Sequence, residues 1–308
     1  MTIVMYHYVR ELRLTNFPDI KGLLKSQFIN QLEYFDRHYQ FVKIQDCINA
    51  IYDKKKLPSN AILLTFDDGY IDHFETVFPI LKKRGIQGCF FPPAEPIIEQ
   101  KVLDVNKIHF ILASSMDPSK LIVDINKSLD EFRSEYLLNS NNFYYSKLAK
   151  PSRFDTEEVI FIKRLLQLEL KEELRSLIVD QLFNKYVTKD EASFSNELYM
   201  NLEQIKILSE NGMYVGSHGF SHRWLNNLSI KEQEIEIDRS LDFLNMVNVS
   251  NKNWVMCYPY GAHNKSLIDL LRKKKCKLAL STKPGLAKLS SKNAYTLERF
   301  DTNDFPKT

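Results

Sequence analysis

Short apolar segments alternate with amphipathic helical segments along most of this 308-residue chain, and this alternation restricts the possible folds more than any other feature. AILLTF at 61–66 and GCFFP at 88–92 have the length and the β-branched and aromatic content of buried strands. FPILKKR, which lies between them, has a helical pattern that we expect to end at Gly85, because glycine commonly follows the last helical residue. Strands that take turns with helices predict an α/β fold with a mainly parallel sheet.

The same alternation resumes after residue 198, whereas residues 97–198 are almost entirely helical in pattern. A stripe of apolar residues at three- and four-residue steps indicates an amphipathic helix in this part: Val159, Ile162, Leu166, Leu170, Leu174 and Leu177. We therefore predict an α/β domain formed by 1–96 and 199–308, with 97–198 as a helical insertion. The insertion could pack on itself and on the rest of the fold, cover a site as a cap or lid, or form a dimer contact. The residues do not separate these alternatives.

Composition excludes several classes of function. Hydrophobic residues make up 44% of the chain, enough for a packed core, and 42 Lys and Arg against 39 Asp and Glu give no basic field that would favour nucleic acid. No stretch approaches the ~18 consecutive apolar residues of a membrane span. The four cysteines show no CxxC spacing, and the first residues have no signal-peptide core, so we expect reduced thiols and a cytoplasmic protein.

Two motifs carry groups that can bind a metal. TFDDGY at 65–70 contains Asp67 and Asp68, and SHGFSH at 217–222 contains His218 and His222. Each motif follows a short apolar run, so both are expected where strands end. One aspartate and two histidines leave a tetrahedral ion a free position for water, and the ion would lower the pKa of that water. The second carboxylate could take the proton. Zinc is the default, although Fe(II), Co or Ni accept the same ligands.

A third motif, YPYG at 258–261, also follows an apolar strand. Pro259 restricts the backbone and Gly261 permits a tight turn. A rigid loop of this kind could direct a backbone N–H at a developing oxyanion, although an ordinary turn at the end of a strand would have the same sequence.

TFDDG, SHxxxH and YPYG, in this order, resemble the polysaccharide deacetylases of carbohydrate esterase family four, which include chitin and peptidoglycan deacetylases. The resemblance covers about 1–96 and 199–300. It implies a distorted (β/α) barrel of about seven strands and removal of an acetyl group from an N-acetylated sugar. By position, Asp67 resembles the general base and Asp68, His218 and His222 the metal ligands. Tyr260 resembles the residue whose backbone N–H stabilises the tetrahedral intermediate.

The chain departs from the family pattern in two places. Cys257 stands where many members have the arginine that orients the base. The usual C-terminal motif, a leucine together with the histidine that acts as general acid, is missing. Arg299 could replace the arginine or form a surface salt bridge. For protonation of the leaving amine, His7 is the first candidate, because it ends the first strand, and His263 is the second.

The sequence therefore predicts a metal-dependent deacetylase whose substrate is an N-acetylated sugar, nucleotide- or lipid-linked, on its way into a surface glycan. N-formyl and O-acetyl groups would undergo the same attack, so deformylation and O-deacetylation stay open. An inactive glycan-binding or scaffolding protein on the same fold is the rival from another class. An iron-dependent oxygenase fits less well, because such sites commonly lie on antiparallel frameworks. The sequence makes no prediction of oligomeric state.

Overall fold

A computed structural model describes residues 1–115, 117–151 and 155–308. Every strand pairing in it is parallel, apart from one isolated antiparallel bridge. The strands are β1 (Thr2–Tyr6), β2 (Gln40–Phe41), β3 (Ala61–Asp67), β4 (Gly88–Phe91), β5 (Tyr214–Val215), β6 (Val255–Cys257), β7 (Leu278–Leu280) and β8 (Phe300–Asp301).

Two isolated bridges close these strands into a ring. One sheet has the order β5-β4-β3-β1-β8, with β2 paired to the start of β3, and β6 pairs with β7. Ser217, just after β5, bridges to Met256 in β6, and Leu297, just before β8, bridges to Leu280 in β7. The result is a seven-stranded barrel, β1-β3-β4-β5-β6-β7-β8, in which the short strands and single bridges are the distortion. The predicted α/β barrel of about seven strands is confirmed.

Both faces of the long strands are apolar, as in sheets that are covered on both sides. Leu64 and Phe66 of β3 lie in one buried cluster and Leu63 in another, because successive side chains point to opposite faces. The Phe66 ring stacks on Tyr6 of β1 at 5.1 Å and on Phe90 of β4 at 4.9 Å. This stack across three strands fixes the register of the sheet next to the end of β3.

The helices are α1 (Lys25–His38), α2 (Ile44–Tyr52), α3 (Phe78–Arg84), α4 (Glu95–Glu99), α5 (Asp104–Ser114), α6 (Pro118–Tyr136), α7 (Asn141–Leu148), α8 (Glu157–Arg164), α9 (Glu172–Tyr186), α10 (Glu191–Leu198), α11 (Leu202–Glu210), α12 (Ile230–Met246) and α13 (Lys265–Lys273). Local chemistry sets several of these boundaries. Gly85 ends α3 with a left-handed φ of 68°, as expected. Ser229 and Glu232 form a capping box at the start of α12.

The chain divides into two compact units. One contains Met1–Glu11, Lys21–Lys101 and Ser195–Thr308, and therefore all eight strands. The other contains Leu12–Ile20 and Val102–Phe194, with α5 to α9. The domain boundaries at 96 and 199, and a role as cap, lid or dimer contact for 97–198, stay predictions.

The apolar stripe in the second unit does not form the single helix that its spacing suggests. A π-helical segment, Leu165–Glu169, separates α8 from α9. Leu166 and Leu174 are buried, whereas Leu177 is 41% exposed. Leu170 and Lys171, which follow the π segment, leave the helical conformation with ψ values of 155° and 142°, so α9 starts as a new helix. Its buried face contains Leu174 and Ile178, and Leu177 lies off that face. In the described part of the chain, no helix combines the length and apolarity needed to cross a bilayer.

Candidate active site

Asp67 is the last residue of β3, and its carboxylate is held by a buried arginine. Arg299 Nη1 donates to Oδ1 at 2.9 Å and Nη2 donates to Oδ2 at 2.7 Å. The guanidinium also donates to Thr65 Oγ1 at 3.0 Å and, from Nε, to the Ser281 carbonyl at 2.8 Å. Arg299 is 0% exposed, so the salt bridge is internal and not on the surface. Burial raises the pKa of Asp67, but the charges of Arg299 and His218 outweigh it and lower the pKa to about 2.

Asp68 has one satisfied carboxylate oxygen and one that is left open. Oδ2 accepts a hydrogen bond from the Tyr70 hydroxyl at 2.6 Å. Oδ1 is buried and has no hydrogen-bond partner, although the Nε2 atoms of His218 and His222 both lie 3.3 Å from it. The backbone of Asp68 is left-handed, with φ 72°, followed by Gly69 at φ 69°. A Cβ on Gly69 would lie 2.7 Å from the Pro92 Cβ, so the turn needs glycine there.

Hydrogen bonds orient the His218 imidazole and hold the loop that carries His222. His218 Nδ1 lies 2.7 Å from the Cys257 carbonyl, which can only accept, so Nδ1 carries the proton and Nε2 presents its lone pair to the site. His222 is held by its loop instead. Buried Glu236 of α12 accepts hydrogen bonds from the N–H groups of Phe220 and Ser221 at 3.0 and 3.1 Å and from the Ser221 hydroxyl. This clamp fixes the SHGFSH loop in place.

The three side chains fit a tetrahedral divalent ion. Their ligand atoms lie within 4.8 Å of one another. Two ligand atoms on a tetrahedral ion with bonds of ~2.0–2.1 Å are separated by ~3.3 Å, which is the distance from Asp68 Oδ1 to each imidazole nitrogen. The pocket also attracts positive charge. Burial lowers the pKa of His218, but Cys257 and Asp68 outweigh it and raise the pKa well above its ordinary value. An ion would satisfy the buried oxygen that the protein leaves without a donor.

A second donor set, Asp67, His218 and Cys257, shares one histidine with the first. It fits an ion less well. Both oxygens of Asp67 already accept hydrogen bonds from Arg299, and burial raises the pKa of the Cys257 thiol, which disfavours the thiolate that metals bind. Of the two aspartates, Asp68 is therefore the one with a carboxylate oxygen open to an ion, and Asp67 stands beside it.

Tyr260 lies at the edge of the same pocket. Its backbone is left-handed, with φ 56°, and its ring packs 4.7 Å from the His222 ring. Trp224 stacks on the other side at 4.3 Å with the planes 2° apart. These aromatic contacts hold the YPYG turn against the histidine loop.

The two candidate acids occupy different surroundings. His7 follows β1, and the pairing of Tyr6 with Phe66 places its backbone beside that of Asp67 at the end of β3; its carbonyl contacts His73 Nε2 at 2.8 Å. His263 has Nδ1 2.9 Å from the Gly261 carbonyl, and its ring stacks on Tyr258 at 5.0 Å. The structure brings His7 to the carboxylates, whereas the contacts of His263 are with the YPYG turn.

The motifs do not predict the roles of two supporting residues. Glu236 could have been found, because α12 buries Gln233, Glu236 and Ser240 on the same face as Ile237 and Phe243. A carboxylate at a core position of an amphipathic helix indicates a buried partner. Tyr70 lies inside the motif TFDDGY, but the motif does not predict its role. Its hydroxyl bond to Asp68 depends on the left-handed turn, which the motif alone does not show.

The model of the polysaccharide deacetylase family matches residues 54–110 and 184–279. These segments contain Asp67, Asp68, His218, His222 and Tyr260, and the gap between them falls in the helical part of the chain. The chain belongs to the polysaccharide deacetylase family. A Bacillus subtilis (strain 168) protein named as a polysaccharide deacetylase, YxkH, is 28% identical over 92 residues, which are 30% of this chain and 31% of that protein.

Solved structures of deacetylases have the same fold. The Streptococcus pyogenes deacetylase PplD, in complex with acetate, superposes with a TM-score of 0.59 and 17% identity, over 98% of this chain and 91% of PplD. A de-N-acetylase from Aggregatibacter actinomycetemcomitans gives a TM-score of 0.53 and 14% identity, over 98% and 95% of the two chains. At these identities the comparison shows the fold alone, and it includes the helical segments that the family model does not match.

Proposed function

We propose that this deacetylase is a metal-dependent hydrolase that removes the acetyl group from an N-acetylated sugar of a surface glycan or of its precursor. The observation that carries the proposal is the buried Asp68 Oδ1, which has no donor and faces two imidazole nitrogens at 3.3 Å. A buried oxygen in this position is costly unless a cation satisfies it. The acetate bound by PplD and the de-N-acetylase activity named for the Aggregatibacter enzyme support the choice of acyl group.

Asp68, His218 and His222 would hold the ion, with zinc as the expected metal and Fe, Co or Ni as chemically suitable alternatives. The ion supplies Lewis-acid activation of water and of the acetyl carbonyl. Asp67 accepts the proton of the attacking water. Because Arg299 keeps its pKa near 2, this carboxylate is ionised throughout the neutral range and keeps one orientation. The Tyr260 N–H donates to the carbonyl oxygen as negative charge develops there.

The departing amine needs a proton, and we assign this role to His7. Tyr6 pairs with Phe66 in the sheet, so His7, the next residue, lies beside Asp67 at the end of β3. Amide hydrolysis requires this proton because an amide anion is a poor leaving group, whereas an aryl ester leaves without it. If His7 acts as the acid, its loss should slow hydrolysis of the amide but not of the aryl ester. If its role is structural, its loss should slow both.

The general-base assignment is tested by Asp67→Asn. We expect kcat for acetate release from N-acetylated sugars to fall by about 10²–10⁴-fold, with bound metal unchanged, because Asp67 is not in the proposed ligand set. Acetate is measured by coupled assay on chitooligosaccharides, peptidoglycan fragments and sugar nucleotides, and metal by elemental analysis. A variant that retained metal and full activity would contradict the role of Asp67. Wild-type protein that takes up no metal would favour the glycan-binding alternative.

The acid assignment is tested by His7→Gln. We expect kcat for the amide substrate to fall by about 10²-fold or more, while hydrolysis of 4-nitrophenyl acetate stays close to wild type. His38→Gln, at the exposed end of α1, is the matched control and should leave both rates unchanged. If His263→Gln lost more amide activity than His7→Gln did, the assignment would belong to His263.

A further inference from the structure

Positive charge is concentrated at the end of the barrel that lies opposite the proposed catalytic groups. Residues 53–60 lead into β3, residues 275–277 lead into β7, and residues 286–293 pass the start of β1, where the Ala287 N–H donates to the Met1 carbonyl at 3.0 Å. Because the strands are parallel, the segments that precede them lie at one end of the barrel, and the catalytic groups follow the strands at the other. We call these three segments together the basic face.

The basic face holds seven lysines and one acidic residue, Asp53, although the whole chain has 42 basic and 39 acidic residues. The rest of the chain is therefore net negative. In the described part of the chain, none of the seven ammonium groups forms an ion pair, whereas Lys273 and Lys274 nearby pair with Glu234 and Asp238. Six of the seven are exposed: Lys54, Lys55, Lys56, Lys275, Lys288 and Lys292. Unneutralised charge of one sign on one face attracts an anionic partner.

Two exposed apolar side chains lie among these lysines. Helix α2 packs against this end of the barrel, with Ile48 and Ile51 in the buried cluster that also contains residues of β1, β3 and β7. Tyr52, the last residue of α2, is 46% exposed, its hydroxyl donates to the Lys277 carbonyl at 2.9 Å, and Lys277 Nζ lies 5.4 Å from its ring centroid. Leu286, which begins the third segment, is 58% exposed. The basic face therefore combines cations with an aromatic and an aliphatic side chain.

We propose that the basic face binds the anionic surface of a lipid bilayer, with Tyr52 and Leu286 at the level of the headgroups. A lysine close to an anionic bilayer contributes about fivefold in affinity. Tyrosine suits the headgroup level because its ring is apolar and its hydroxyl polar, and the leucine adds apolar area that the bilayer can bury. In this orientation the catalytic end of the barrel faces away from the bilayer. The proposal does not depend on the chemistry assigned to the active site.

The composition of the basic face favours a bilayer over a nucleic acid. Its three segments contain no arginine, the residue that binds phosphate in a two-pronged geometry and stacks on bases. Lysine is a point charge on a flexible stem, which suits a diffuse anionic surface. Tyr52 and Leu286 also gain from leaving water only where the partner offers apolar surroundings, which a bilayer does and a phosphate backbone does not.

The test is co-sedimentation of the full chain with vesicles of phosphatidylcholine alone and of phosphatidylcholine with about one third phosphatidylglycerol. The test variant carries Lys55→Gln, Lys56→Gln, Lys288→Gln and Lys292→Gln. The control has the same net charge and replaces four exposed lysines at or next to the starts of α1, α6, α9 and α12, namely Lys25→Gln, Lys120→Gln, Lys171→Gln and Lys231→Gln. We expect wild type and control to bind the anionic vesicles alone, less tightly as salt rises, and the test variant to bind on the order of 10²–10³-fold more weakly.

A further variant, Leu286→Ser, keeps every charge and should still weaken binding to the anionic vesicles by about threefold or more, because it removes apolar area from the contact. Equal binding by test variant and control, or equal binding of neutral and anionic vesicles, would overturn the proposal. So would a DNA duplex that bound more tightly than the vesicles, with Leu286→Ser binding both as wild type does. Acetate release from soluble substrates should be unchanged in all three variants, so failure of the proposed function would appear separately, as absence of acetate with wild type.

Discussion

His218→Ala protein is expected to purify without its metal and to release acetate no faster than buffer does. The substitution removes one of three ligand atoms and leaves Asp68 Oδ1 with a single imidazole beside it. Loss of an outer hydrogen-bond partner alone costs about 10–100-fold in metal affinity, and loss of a ligand itself should cost more. Elemental analysis should give about one ion per chain for wild type and close to none for the variant.

Two further variants test whether the loss of metal and activity is specific to the ligand set. His38→Ala should keep both metal and activity, because His38 is exposed at the end of α1. His222→Ala should reproduce the loss, since its Nε2 is equally close to Asp68. If His218→Ala kept one tightly bound ion and normal acetate release, the ligand set would be wrong. The second donor set would not rescue it, because that set also uses His218.

Three residues at the site have left-handed backbone conformations that residues other than glycine rarely adopt. Asp68, His222 and Tyr260 have φ values of 72°, 57° and 56°. Each such residue costs on the order of 1–3 kcal/mol and persists only where surrounding contacts enforce it. The enforcing contacts here are the Tyr70 hydroxyl on Asp68, the Glu236 clamp on the histidine loop and the Trp224 ring on Tyr260. These three residues and their supports lie at one edge of the barrel.

The fold class could be predicted because its signals are local. AILLTF and GCFFP became β3 and β4 with boundaries within one residue of those expected, and Gly85 ends α3. Closure of the barrel could be predicted only from the family resemblance, because it depends on single bridges at Ser217 and Leu297 between segments with no strand-length apolar run of their own. The stripe beginning at Val159 is divided between two helices for a related reason, since the break at Leu170 and Lys171 leaves no mark in apolar spacing.

The candidate site, like the fold, could be predicted from the sequence only in part. The motifs place aspartates and histidines after strands, and parallel strands bring their carboxyl ends to one edge, so the convergence of Asp68, His218 and His222 follows from sequence and topology together. The supports act across long separations that no motif records. Arg299 reaches Asp67 over 232 residues, and a surface salt bridge would have had the same sequence. Only the burial of Arg299 distinguishes the internal salt bridge from a surface one.

Arg299→Met is expected to destabilise the protein by about 3–5 kcal/mol, because breaking a buried pair leaves an uncompensated charge. Asp67 would remain 2% exposed, with its two donors to the carboxylate removed. Thr65 and the Ser281 carbonyl would lose partners as well. Urea denaturation followed by circular dichroism measures the change in the free energy of unfolding. If the free energy of unfolding fell by less than ~1 kcal/mol, the Arg299–Asp67 pair would contribute no more than an exposed salt bridge does, which would contradict the expected cost of breaking a buried pair.

Two companion variants separate stability from positioning. Arg299→Met combined with Asp67→Leu removes both charges, and we expect it to recover most of the lost stability, because apolar replacement of a whole buried pair is often neutral. It should remain inactive. Arg299→Lys keeps a charge but loses the two-pronged geometry on the Asp67 carboxylate. We expect it to fold, to retain its metal and to lose about tenfold or more in kcat, the lower range for a displaced general base. Unchanged kcat in Arg299→Lys would mean that Arg299 supplies charge alone and that the orientation of Asp67 is set by β3.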